Sequence, residues 1–483
     1  MKAKGVIFQI VQIAVFVLSL FTQWYSPLLL ILFVSLIIMM LDNLGKGIVL
    51  REIIALHSSF VCLIMPLVGY ALFPQTNPLA RLFMRWMPIP YEQYFGFALP
   101  AISGFVLFLC WPLRGKYTDH GASLNHVLAK AKSIAEHKAS IGCTLMIVAV
   151  FAFEGYSYLP NTLQFAFLLF YFSGFAGLLY VYYAKTFRFR KWALGLFSAF
   201  IFMTTLNSGM FTIEAYMGMT LLSFFFLGRK THLLKKLALV VVGIFILLIV
   251  QMVKPIFRKQ IWLNNYQGNR AALFADLFID KVEHFSLDST DVFFPVYYRT
   301  NQGFNVALVI RRFPDIRPYD NGVNLGTALA SALVPRVLWP DKPEAGGKFN
   351  MQYYTGMHIV GFSTNVGPLG EAWGSFGMGG IAFMCCLGFV VRLAYRQVFK
   401  TAWKMPLILF WLAFFFYQVT YSAETDTLQI MNSLTKSALF FFLLYKIKPA
   451  LMTETPKERI QNRSYSKTIL PPPTGNLPGQ LQE

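Results

Sequence analysis

The chain has 483 residues, 56% hydrophobic, 17% aromatic and 13% charged, with a formal net charge of +20. Soluble proteins carry roughly 25% charged residues, so this deficit and the repeated long apolar runs define an all-α, polytopic membrane protein. Most of the excess basic charge falls in short loops between the runs, a pattern that orients membrane helices and argues against a nucleic-acid partner.

A spanning helix needs about 20 apolar residues. Runs of this kind lie near 6–24, 27–42, 52–73, 94–113, 140–159, 162–183, 193–207, 210–227, 237–253, 372–391, 405–421 and 432–447, twelve in all. No small-residue cleavage site follows the first run, and Gln23-Trp24-Tyr25 resembles an interfacial belt, so it reads as an uncleaved helix. Cys62, Cys110, Cys143, Cys385 and Cys386 lie in or beside apolar runs, with no C-x-x-C among them, and read as packed thiols.

Lys and Arg residues alternate with the loops. Lys46 and Arg51, the 114–138 loop, Lys185–Lys191, Arg229–Lys236, Arg392–Lys404 and the tail are basic, whereas the 154–161, 207–210 and 422–431 turns carry none. Both termini are therefore expected in the cytoplasm. The organisation that follows is nine spans in 1–253, one large extracytoplasmic segment at 254–371, three spans in 372–448 and a disordered tail at 449–483. Within the 114–138 loop, Ser123–Lys138 reads as an amphipathic surface helix, and the irregular spacing of His120, His126 and His137 suits a solvated loop better than a metal site. No internal repeat suggests an inverted-repeat transporter. Glu154 and Glu214 lie near the outer ends of spans, as weak functional candidates or as residues that reach the interface.

The long segment opens on Lys254-Pro255-Ile256-Phe257-Arg258-Lys259, which is either a headgroup-level site for a lipid diphosphate or ordinary snorkelling at a helix end. Arg270, Arg299, Arg311, Arg312, Arg317, Arg336, Lys342 and Lys348 follow it. Leu273, Phe274, Leu277, Phe278, Val282 and Phe285 recur at helical spacing over 269–287. A second helix is expected within 288–313, ended by Pro314, with Arg311-Arg312 at its C-terminus where they also suit the helix dipole. Asn324–Leu333 reads as a small-residue helix.

Pro335, Pro340 and Pro343 then impose a rigid extended loop that fixes Arg336, Asp341 and Lys342 relative to one another, for binding phosphate or for an Arg336–Asp341 staple. Phe349, Tyr353 and Tyr354 suit sugar rings or the membrane interface, and His358 is a weak candidate. Glu371 stands where the next span begins, as a general base or as a helix N-terminal acid, with Asp341 the second choice of base.

The run Pro335-Arg336 and Leu338-Trp339-Pro340-Asp341-Lys342-Pro343, followed by Gly370-Glu371-Ala372-Trp373, Phe376-Gly377 and Gly380, resembles the Wzy-type oligosaccharide repeat-unit polymerases. The motif covers about 50 residues. The resemblance implies a GT-C-like glycosyltransferase of the bacterial inner membrane, which moves glycan from undecaprenyl diphosphate to the next lipid-linked unit. It also implies a chain-length regulator and a flippase of the same pathway as partners. Arg336 is carried over by the motif as a diphosphate ligand. Where such proteins often carry an Arg before the large loop, this chain has Asn207-Ser208-Gly209-Met210.

Lys342, Arg311, Arg312, Arg258 and Arg270 complete the expected cationic set around the leaving diphosphate, with no cofactor and no metal. An O-antigen ligase-type transferase shares donor and fold. A lipid-linked oligosaccharide flippase would instead show charge through many spans.

Overall fold

A computed structural model describes residues 2–113, 115–159, 161–208, 212–229, 231–285, 290–334, 338–343, 346–359 and 364–454. All regular structure among them is helical. Nine helical segments among the described residues are long and apolar enough to cross a membrane: Tyr25–Asn43, Leu50–Leu72, Tyr91–Cys110, Ala139–Tyr158, Gln164–Tyr183, Leu233–Leu263, Gly367–Ala402, Pro406–Glu424 and Thr427–Ile447. The protein is thus a multi-pass membrane protein.

The other three expected runs also fold as helices. The first and eighth contribute shorter apolar stretches, Gly5–Phe21 and Met217–Phe226. The seventh lies in Arg190–Ser208, which opens on Arg190-Lys191 and closes on Asn207-Ser208.

The chain divides into two compact units, the first comprising 1–125, 196–400 and 412–439, the second 126–195, 401–411 and 440–483. In the second unit, Ala139–Gly155 packs along Asn161–Tyr183. Gly142 and Gly177 face each other so closely that a Cβ on Gly177 would lie 2.6 Å from the Gly142 carbonyl oxygen. This is the small-residue contact that lets membrane helices approach backbone to backbone. Residues 449–454, the first of the expected disordered tail, are instead ordered: Pro449–Leu451 forms a helical turn, and Lys138 Nζ and Tyr180 Oη donate to the Ala450 and Leu451 carbonyls, tying it to this pair. The remainder of the tail, 455–483, lies outside the described residues.

The first unit contains the long segment that interrupts the spans. The spacing over 269–287 becomes the helix Arg270–Glu283, whose first amides are capped by the Asn269 side chain. Its apolar face, with Phe274 buried and Leu273, Leu277 and Phe278 around it, packs on Ile249, Val253, Phe257 and Ile261. The single helix expected over 288–313 is two, Phe294–Thr300 and Gln302–Arg312. The break falls at Asn301, whose side-chain oxygen accepts from Phe304 N and so starts a new helix.

Val323–Leu333 forms as expected. Residues 347–355 form a further short helix, Gly347–Asn350 continuing into Met351–Thr355. The span that carries Glu371 begins earlier than its hydropathy suggests, at Gly367, and breaks at Gly377–Gly379 before continuing as Gly380–Ala402.

Candidate functional site

Gln302–Arg312 is the element on which the site is built. Its residues 302–310 are all buried, with Val309 against Gly370 of the helix Gly367–Phe376. Its polar face is occupied by the chain that enters that helix. Gln302 Nε2 and Asn305 Nδ2 donate to the Asn365 carbonyl oxygen at 2.7 and 2.9 Å, and Asn305 Nδ2 also reaches Thr364 Oγ1. Trp373 Nε1 donates to the Phe313 carbonyl, at the helix's other end.

Two carboxylates converge beside this frame. Glu371 is 3% exposed. Its Oε2 accepts from the backbone N and Oγ1 of Thr427 at 2.9 and 2.5 Å, and its Oε1 accepts from Asn350 Nδ2 at 3.0 Å. Asp426 is equally buried. Its Oδ2 accepts from Gly346 N and Asn365 Nδ2, and its Oδ1 from Gln429 N. Burial lifts the Asp426 carboxyl above its usual range, against the pull of these donors.

Both acids therefore serve the N-terminus of Thr427–Ile447, where the helix dipole favours negative charge. Asn350 Nδ2 also contacts Asn365 Oδ1, which completes a chain of polar contacts from Asp426 through Asn365 and Asn350 to Glu371. The two acids, with Asn350, Tyr354, Asn324, Thr327 and Phe349 among their neighbours, line a narrow cavity of about 50 Å³. That volume accommodates a few water-sized groups.

A second, open cavity of about 480 Å³ shares Phe349 with the first. It is lined by Arg312, Arg317, Gln352, Tyr353, Gly356 and His358. Arg317 stacks on Tyr353 with its guanidinium carbon 3.7 Å from the ring centroid, and Tyr353 stacks in turn on Phe349. Arg312 Nε is buried and has no hydrogen-bond partner among the described residues. The pair of cavities thus presents two fixed carboxylates on one side of the short helix 347–355, and two arginines, a histidine and an aromatic shelf on the other.

The candidates from the sequence divide accordingly. Glu371, Arg312 and His358 line these cavities. Arg311, beside Arg312, is exposed. Asp341 is exposed and lines neither cavity. Lys342 donates from Nζ to the Ser331 and Val334 carbonyls at 2.9 and 2.8 Å, so it closes the C-terminus of Val323–Leu333. Arg270 donates to the Asn207 carbonyl, and Arg258 lies over the Trp262 ring at 4.6 Å. Glu154 is exposed at the end of Ala139–Gly155, in the other unit. Arg336 and the side chain of Glu214 lie outside the described residues.

Sequence reasoning missed Asp426, Asn350, Asn365 and a further acid, Glu424, which binds His57 Nε2 at 3.2 Å and Arg299 Nη1 at 3.0 Å. A signal was present. Ser422-Ala423-Glu424-Thr425-Asp426-Thr427 places two acids and three hydroxyls in one short turn between apolar runs.

A multi-pass helical frame with a polar, acid-lined cavity where its spans begin defines the class of this protein. The chain belongs to a family known by its domain of unknown function, DUF8712, whose model matches residues 122–397, more than half the chain. No curated protein and no solved structure matches it. The matched region includes Arg312, Arg317, His358 and Glu371, whereas Asp426 falls beyond its end.

Proposed function

We propose that this protein is a membrane glycosyltransferase that joins undecaprenyl-diphosphate-linked oligosaccharide repeat units at the outer face of the bacterial inner membrane. The observation that carries the reading is the adjacency of the Glu371–Asp426 cavity to the Arg312–Arg317–His358 cavity. Transfer from a lipid diphosphate needs a base for the attacking hydroxyl and cations for the leaving group, within one sugar's reach of each other.

In this reading the acceptor hydroxyl enters the narrow cavity and gives its proton to Glu371. Asn350 and Thr427 hold the carboxylate in place, and Asp426 keeps the surrounding amides oriented. Arg312 and Arg317 take the diphosphate, with guanidinium forks suited to paired phosphate oxygens. Phe349 and Tyr353 offer faces for the sugar between them. The basic loops support cytoplasmic termini and an outward-facing site. In this reading the helices that carry the first, seventh and eighth runs, Lys2–Phe21, Arg190–Ser208 and Thr212–Phe226, complete twelve crossings in a GT-C-like frame. Arg336 remains a third cation by its motif.

Glu371→Gln keeps size and most hydrogen-bonding geometry while removing the base. It should abolish polymer, and single repeat units should accumulate on the lipid carrier in cells that still insert the protein. Arg312→Ala should do the same. Normal long-chain polymer from both variants overturns the assignment. In a strain lacking the protein, single units on the carrier fit a polymerase. Full-length polymer retained on the carrier would instead indicate a ligase-type transferase, and units confined to the inner leaflet a flippase.

A further inference from the structure

A third cavity, which shares no lining residue with the other two, lies within the first unit. It occupies about 760 Å³ and is lined by residues from the helix Lys2–Phe21, the end of Tyr25–Asn43, the start of Leu50–Ser59 and the chain after Tyr91–Cys110. Its walls are mostly apolar, with Val6, Phe8, Met39, Ile48 and Leu113 among them. Its charges are Asp42, Lys46, Arg51, Glu52, Asp119 and His120.

The charges can be accounted for one by one. Arg51 donates twice to Asp119 Oδ2, at 3.0 and 2.6 Å, and from Nη1 to the Leu109 and Trp111 carbonyls. His120 Nδ1 lies 2.9 Å from Asp119 Oδ1. Lys46 Nζ reaches Asp42 Oδ1 at 2.7 Å, at the exposed rim. Glu52 is left over. It is 4% exposed, its Oε1 accepts from Asn43 Nδ2 at 2.8 Å, and its Oε2 is buried with no hydrogen-bond partner among the described residues. A buried carboxylate oxygen without a donor is costly, and a ligand that supplies N–H groups and positive charge removes the cost.

We propose that this cavity binds a phospholipid with a primary-ammonium headgroup. The ammonium donates to Glu52 Oε2, the phosphate meets Lys46 and His120 at the rim, and the upper acyl chain follows the apolar wall beside the helix Lys2–Phe21. A soluble primary amine shares the ammonium chemistry but leaves the apolar wall and the cationic rim unused, so the lipid is the better fit. The proposal does not depend on the glycan-transfer reading.

The test is native mass spectrometry of the full-length, delipidated protein titrated with short-chain phosphatidylethanolamine, phosphatidylcholine and phosphatidylglycerol, and with free ethanolamine. The ethanolamine and choline lipids differ only in N-methylation, which removes the N–H donors. The unaltered protein should bind the ethanolamine lipid about tenfold or more tightly than the choline lipid, the scale of one charge-assisted hydrogen bond. Glu52→Gln should erase that preference. Equal binding of the three lipids, a preference that survives in Glu52→Gln, or free ethanolamine binding as tightly as the lipid would each overturn the proposal. If Glu52→Gln does not fold, the contrast between the two lipids on the unaltered protein decides.

Discussion

Arg51 and Arg312 belong to one compact unit and are held in opposite ways. Arg51 is buried with four hydrogen bonds from its guanidinium, two to Asp119 and two to backbone carbonyls, and it lies over the Tyr395 ring. Four of its five N–H groups are committed to the protein. Arg312 lines an open cavity with Nε unpartnered among the described residues. The lesson is that burial and charge do not by themselves distinguish an arginine whose donors are committed to the fold from one with a donor left over. The state of its donors does.

The comparison can be broken experimentally, most severely on the Arg51 side. Asp119→Ala leaves a buried guanidinium without its counter-ion and should cost about 3–5 kcal/mol. Thermal unfolding of the detergent-purified protein should show a large loss, or the protein should fail to accumulate. An unchanged midpoint would mean that the ion pair does not hold the fold.

Arg312→Ala should leave that midpoint nearly unmoved. If the protein catalyses the proposed repeat-unit transfer, that activity should fall by about 10²–10³, the usual cost of removing one preorganised donor to developing charge. Matched losses of stability and activity would place Arg312 with Arg51 and end the contrast.

A milder probe is pH. Burial works against ionisation of Asp119, yet Arg51 and the His120 hydrogen bond hold its carboxyl at about 2, below the usual 3.8. A depressed acid contributes stability above its unfolded value and loses it as pH falls, so about 2 kcal/mol should disappear between about pH 4 and pH 2. Asp119→Asn should flatten this acid limb of the unfolding curve. His120 has the opposite sign. Its hydrogen bond to Asp119 raises its pKa, so its contribution is present below its unfolded value and fades as pH rises through the raised one. Being half-exposed, it should be worth less than about 1 kcal/mol.

The smallest effect is expected at Lys342. Lys342→Ala removes donors from the end of Val323–Leu333 and should cost about 1 kcal/mol, with transfer reduced far less than in Arg312→Ala. A loss as deep as that of Arg312→Ala would restore Lys342 to the proposed diphosphate site.

These residues also mark how much was legible beforehand. Hydropathy located nine of the twelve expected spans among the described residues, because each must hide its backbone within its own length, a local property. Period located Arg270–Glu283 for the same reason, since its apolar face is written in consecutive residues. Glu371 was found because it interrupts a glycine-rich helix start. Asp426 was not, because its importance comes from residues far away in sequence, the side chain of Asn365 and the amide of Gly346. Lys342 misled in the other direction. A basic residue in a proline-rich run reads as available, and only the fold reveals that it closes a nearby helix. The division of Phe294–Thr300 from Gln302–Arg312 was hidden in Asn301, a residue that interrupts a helix by starting the next one.

Gly367 has a consequence that reaches beyond packing. Its φ of +71° is left-handed, and a Cβ placed on it would lie 2.4 Å from the carbonyl oxygen of Ala423, three residues before Asp426. The main chains that carry Glu371 and Asp426 therefore touch at a point where no side chain intervenes. The interval between the two acids is gauged by backbone against backbone, as with the jaws of a fixed spanner. Exchanging the side chains around the cavity alters what it grips, whereas Gly367→Ala alters the bore. Under the proposed transfer reaction, such a substitution should impair every acceptor alike, and compensating changes should arise in the 422–426 turn rather than among the residues that line the cavity.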